Sequence, residues 1–149
     1  LGNLHHASGI NDAGQVVGFS GTAGGSDHAF ITGPDGVGMR DLGTLGGNIN
    51  ISVAFDINDA GQVVGLSSTA GGGFHAFVTG PNGEGMVDLN SLVDLPHGVI
   101  LTEAAGINSN GQVIAMGVIP EPETYALMLA GLGLIGFMGR RKKAEDSHS

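Results

Sequence analysis

Residues 10–42 read INDAGQVVGFSGTAGGSDHAFITGPDGVGMRDL, and residues 57–89 read INDAGQVVGLSSTAGGGFHAFVTGPNGEGMVDL. The second string repeats the first at a spacing of 47 residues, matching Asn11 with Asn58, Gly14 with Gly61, His28 with His75, Phe30 with Phe77 and Asp41 with Asp88. A third copy begins 50 residues further on as Ile107-Asn-Ser-Asn-Gly-Gln-Val-Ile and stops after half a unit. Repetition at this period marks a repeat architecture, in which one unit cannot bury both of its faces alone.

Each unit parses into four short strands. In the second copy the expected strands are residues 54–57, 62–66, 74–79 and 86–89. Asn58-Asp59-Ala60-Gly61 forms the tight turn between the first two, with Gly61 left-handed in a type I turn with a bulge. The apolar Val63-Val64 centre reads as buried. A Ser/Thr/Gly loop over 67–73 leads to the third strand, and Pro81-Asn82-Gly83 makes the next turn. Four strands per 47–50 residues predict an all-β fold of propeller-like blades, with a stacked β-solenoid as the alternative. Two and a half units are too few to close a ring, so further blades are expected upstream. The chain opens at Leu1 on a repeat junction, without an initiator Met or a leader, and reads as the C-terminal part of a longer precursor.

Composition agrees with turn-rich β-structure: 29 Gly, 5% aromatic and 13% charged residues. The absence of cysteine removes disulfides, thiolate metal sites and a Cys nucleophile. The net charge of −9 is unevenly spread, because residues 1–139 hold 12 of the 14 acids and only one of the five bases, Arg40. That surface repels phosphate backbones, which argues against nucleic-acid binding.

The string Gly-Ile-Asn-Asp-Ala-Gly-Gln-Val-Val-Gly, followed by His-Ala-Phe and then Asp-Leu-Gly-Thr-Leu-Gly-Gly, resembles the HAF family of bacterial extracellular repeats. His28-Ala29-Phe30, His75-Ala76-Phe77 and residues 41–47 carry the likeness, which covers residues 1–117. The second unit departs from it with Asp88-Leu-Asn-Ser-Leu in place of the Gly-Thr-Leu-Gly-Gly ending. The resemblance implies no established catalytic activity.

Residues 118–143 form a second region, followed by a polar tail over 144–149. It contains Pro120-Glu121-Pro122, then an uncharged stretch from Thr124 to Gly139, then the basic cluster Arg140, Arg141, Lys142 and Lys143. As a helix the 16-residue stretch measures roughly 24 Å. That is somewhat short of a hydrocarbon core about 30 Å thick, a gap that snorkelling bases and local thinning make up. The expectation is a transmembrane-type helix suited to transient anchoring, with the bases on the cytoplasmic side and the acidic repeats outside. The prolines keep the preceding segment extended and accessible.

This ordered set resembles the PEP-CTERM sorting domain of Gram-negative bacteria that make exopolysaccharide. Pro120, Glu121 and Pro122 match its signature, and the apolar stretch and the basic cluster match its other two parts. The resemblance implies recognition by an exosortase, a membrane-embedded processing enzyme, with removal of the tail near the motif.

Other patterns carry less. Gly131-Leu-Gly133-Leu-Ile-Gly136 fits a dinucleotide fingerprint but has no preceding strand or βαβ unit around it. Asp56, Asn58 and Asp59 faintly resemble a calcium loop, yet Asp56 is replaced by Gly9 and Gly106 in the other copies. His28 and His75 are expected to be hydrogen-bonded between blades rather than to hold a metal. No catalytic set, cofactor or metal site is expected. The function expected is that of an exported, non-enzymatic surface or matrix repeat protein, with an exosortase, the membrane, and exopolysaccharide or matrix proteins as partners. The alternatives are a propeller-type hydrolase or lyase with its active site in upstream blades, and a permanently anchored surface protein.

Overall fold

A computed structural model describes residues 5–119 with their side chains and the backbone of residues 130–136. Its first unit is an antiparallel meander of β1 (His5–Ile10), β2 (Val16–Gly21), β3 (Asp27–Ile31) and β4 (Arg40–Gly43), in that spatial order. The second unit repeats it with β5 (Ser52–Ile57), β6 (Val63–Ser68), β7 (Phe74–Val78) and β8 (Val87–Asp88). The third sheet has two strands from its own half unit, β9 (Ile100–Ile107) and β10 (Gln112–Val118), and adds β11 (Ala130–Gly136) beside β10.

The turn chemistry places these strands. Asn58 N–H donates to Gln62 O at 3.1 Å and Gly61 N–H to Asn58 O at 2.9 Å, with Gly61 at φ +85° as expected. This turn also leans on the second turn of its unit, since Asn82 N–H and Gly83 N–H donate to Ala60 O and Gly61 O. A Cβ on Gly61 would stand 2.5 Å from Asn82 N, so both the sign of φ and the close approach demand glycine. Asn82 itself is left-handed at φ 58°, a conformation that Asn tolerates.

The sheets stack face to face, and alternation along each strand sends neighbouring side chains into different cores. Val63 and Phe77 point back towards the first unit, where Val17, Ala29 and Ile31 meet Ala54 and Ile57 of β5. Val64, Ala76 and Val78 point forward to Leu101, Ala104 and Ile107 of β9 and to Val113 and Ala115 of β10. The middle sheet is therefore buried on both faces, which is why its Val-Val pair reads as continuously apolar rather than alternating.

The blade-like unit expected from the repeats is present, but the three sheets form no closed barrel or propeller among the described residues. The helix expected between Thr124 and Gly139 requires correction. Its residues Ala130–Gly136 form strand β11, pairing antiparallel with β10 from Gln112–Gly136 to Gly117–Ala130. Gly131, Gly133 and Gly136 each cost about 1 kcal/mol relative to Ala in a helix interior. The edge of β10 offers a row of unpaired backbone groups that a strand satisfies and a helix does not. No helix among the described residues is long and apolar enough to cross a membrane. The rest of that stretch, Pro120-Glu121-Pro122 and the cluster Arg140, Arg141, Lys142 and Lys143 lie outside the described residues.

Candidate functional site

Two polar arrangements recur on the described units. The first begins with the His-Ala-Phe strands. On β3 and β7 the alanine and phenylalanine are buried, whereas the histidine sits at the sheet margin beside the fourth strand. His28 Nδ1 lies 2.9 Å from both carboxylate oxygens of Asp41, and His75 Nδ1 lies 2.7 Å from Asp88 Oδ2. A carboxylate only accepts, so Nδ1–H is the donor and the tautomer is set. The expectation that these histidines bond between blades is corrected: each pairs within its own unit. Both partners follow their histidine by 13 residues, a recurrence that the two copies already display.

Each aspartate is itself held. Gly43 N–H donates to Asp41 Oδ1 at 2.7 Å, and the backbone and side-chain amides of Asn90 donate to Asp88 Oδ1 at 2.9 and 3.0 Å. His28 Nε2 is buried without a hydrogen-bond partner. No group of three His, Cys, Asp or Glu suited to a metal occurs among the described residues. The pairs thus tie the third strand of a unit to its fourth.

The second arrangement runs between units. The Oδ1 atoms of Asn11, Asn58 and Asn108 each accept two backbone N–H groups of their own turn, from the residues two and four further on. Each Nδ2 donates at 2.9 Å to a glutamine Oε1, that of Gln15, Gln62 or Gln112. Asn11 Nδ2 donates also to Asn58 O, and Asn58 Nδ2 to Asn108 O, both at 3.0 Å. One side chain therefore closes its own turn and fastens it to the next unit. Asp56 adds another link through Oδ2, which accepts from Ile107 N–H at 2.9 Å. Asp56 is therefore a bracket between sheets rather than part of a calcium loop, with Gly9 and Gly106 leaving room on either side.

A cavity of about 520 Å³ opens between the units, lined in part by Gln15, Pro34, Met39, Arg40 and Asn82. Arg40 donates there to Asn82 O, so the one base of residues 1–139 is engaged in joining two units.

The sorting residues expected from the sequence begin just past the end of β10 at Val118, the middle strand of the third sheet. The fingerprint-like glycines of residues 131–136 fall within β11, at a sheet margin and not in a strand-to-helix turn.

No curated protein and no solved structure matches the chain. Residues 118–142 match the PEP-CTERM protein-sorting motif. The chain thus carries the signal of a secreted protein that passes through the membrane and is processed by an exosortase.

Proposed function

We propose that this chain is a surface or extracellular-matrix repeat protein of a Gram-negative bacterium, whose units bind or build rather than catalyse. The observation that carries the reading is the sorting motif at residues 118–142, joined directly to a stack of β-units. The use of the polar side chains supports it. The His–Asp pairs and the Asn–Gln ladder are occupied in holding strands and units together. The likeness of residues 1–117 to HAF repeats points in the same direction, with exopolysaccharide or matrix proteins as the partners. The uncharged stretch and the bases that follow it are the part that meets the bilayer in transit.

The test is to express the protein as an exported precursor in strains with and without an exosortase and to measure the mass of the C-terminus. The expected result is loss of the segment after the Pro-Glu-Pro motif only where the enzyme is present. Substituting Pro120 and Pro122 with alanine should abolish that loss. An unchanged C-terminus in both strains overturns sorting, and turnover of a polysaccharide by the purified repeats overturns the non-enzymatic role.

A further inference from the structure

The cavity between the first two units is framed by the repeat but rimmed by residues in which the copies differ. One wall is the loop that follows β3 and the other is the turn that follows β7, so both walls belong to described units. Each is held by its own backbone: Gly33 N–H donates to Val37 O at 2.9 Å, and Gly80 N–H to Glu84 O at 2.8 Å. The floor is buried, with Gln15 at 8% and Thr32 at 9% exposure. Arg40 stands where the second copy has Val87, Glu84 where the first has Val37, and Asn82 where the first has Asp35. The strand and the turn form with either residue, so the fold of a unit does not set these three.

Their polar groups also have bonds to spare. The His–Asp pairs and the Asn–Gln ladder are used internally, whereas the Glu84 carboxylate and Asn82 Nδ2 make no hydrogen bond among the described residues. Arg40 gives one N–H to Asn82 O and forms no ion pair among the described residues, which leaves most of its donor fork and its whole charge for a ligand. Cation and carboxylate are thus held apart on one rim. Val37 at 70% and Met39 at 58% exposure, together with Pro34, give the same cavity an apolar side. We propose that this cavity binds a sugar acid, free or as a unit of a polymer. Arg40 takes the carboxylate through its N–H fork, Glu84 and Asn82 take hydroxyls, and Pro34, Val37 and Met39 meet the C–H face of the ring. A neutral sugar leaves Arg40 without its partner, and an acid without hydroxyls leaves Glu84 opposed by a like charge, so the class needs both groups. The volume of about 520 Å³ lies within the range of small-molecule sites. The proposal rests on the reading that the units bind rather than catalyse, and adds the place and the class of ligand.

The test titrates the full chain with galacturonate, its trimer, the neutral trimer maltotriose and acetate, followed by calorimetry and by amide NMR shifts. The galacturonate trimer should bind and shift the amides of residues 33–40 and 82–84. Maltotriose and acetate should bind about tenfold more weakly or worse, and added salt should weaken the trimer. Arg40→Val, the residue of the second unit, should weaken the trimer by about tenfold or more, and Glu84→Val, the residue of the first, by less. Arg40→Gln keeps a donor to Asn82 O without the charge and should lose as much; it replaces Arg40→Val if circular dichroism shows the latter unfolded. A trimer that binds more tightly than the monomer identifies a polymer as the source, and equal binding identifies the free acid. Equal binding of maltotriose, shifts confined to other residues, full affinity in the Arg40 variants, or no binding of either galacturonate at millimolar concentration each overturns the proposal. None of these measurements involves an exosortase, so an uncleaved C-terminus leaves the site standing and a failure to bind leaves the sorting standing.

Discussion

Asn58 and Asn108 stand at the same corner of the same turn, make the same bonds to that turn and to a glutamine four residues on, and end in different surroundings. Asn58, with a unit on either side, is 5% exposed, whereas Asn108 at the end of the row is exposed to solvent. Val64 and Ile114 show the same contrast in apolar form, at 0% and 51%. The local sequence builds the turn and the strands, but the neighbouring unit decides what is buried. Stability in such a stack is a sum of modest units and the contacts between them. Equivalent substitutions should therefore cost different amounts according to position in the row.

The largest difference is expected in the two His-Ala-Phe strands. Phe77 is fully buried in the core shared by the first two units. Truncating it to alanine should cost about 3–5 kcal/mol. Phe30 is 6% exposed and lies outside that shared cluster, so Phe30→Ala should fall at or below the lower end of the range. Urea denaturation of both variants measures this, and equal losses would break the positional argument.

The ladder offers a sharper comparison. Asn58→Ala removes the acceptor of two turn amides and the donor to Gln62 and Asn108 in a buried setting. It should cost about 2–3 kcal/mol, because the side chain is buried and four part-buried hydrogen bonds are lost together. Asn108→Ala removes a similar turn closure where water can substitute, and about 1 kcal/mol is expected. The difference between the two, read from the same denaturation series, reports the inter-unit bond and its burial.

Much of this order is legible in the residues. The copies show the units, the Asn-Asp-Ala-Gly turn shows where each hairpin folds, and the second-unit strands fall within two residues of expectation. The pairing of His75 with Asp88 is open to the same reading, since both recur at one spacing in His28 and Asp41. The ladder was less accessible. Asn58 already has a full local role in its turn, and its bond to the next unit follows only from how the sheets stack. The tail is illegible for another reason. Ala-Gly-Leu-Gly-Leu-Ile-Gly carries no period that separates helix from strand. The edge of β10 that settles its backbone comes from a different part of the chain.

The His–Asp pairs give a smaller effect. His75 and Asp88 keep 28% and 30% of their side-chain surface, and water screens the pair. A double-mutant cycle with His75→Gln and Asp88→Asn should return a coupling of no more than about 1 kcal/mol. The His28–Asp41 pair, whose aspartate is 53% exposed, should couple no more strongly. A coupling well above that value would mean the pairs do more than join adjacent strands.

The smallest effect belongs to Ile114. Its equivalent Val64 is enclosed by β9, and an alcohol there would lose apolar contacts and need a hydrogen-bond partner inside the core. Ile114 points away from that core, with Val113 and Ala115 on either side turned into it. Ile114→Ser should therefore change the unfolding free energy by no more than about 0.5 kcal/mol when measured at high dilution. A variant as destabilised at high dilution as a core truncation would mean that Ile114 is already covered within the single chain, and the contrast between the middle of the row and its end would disappear.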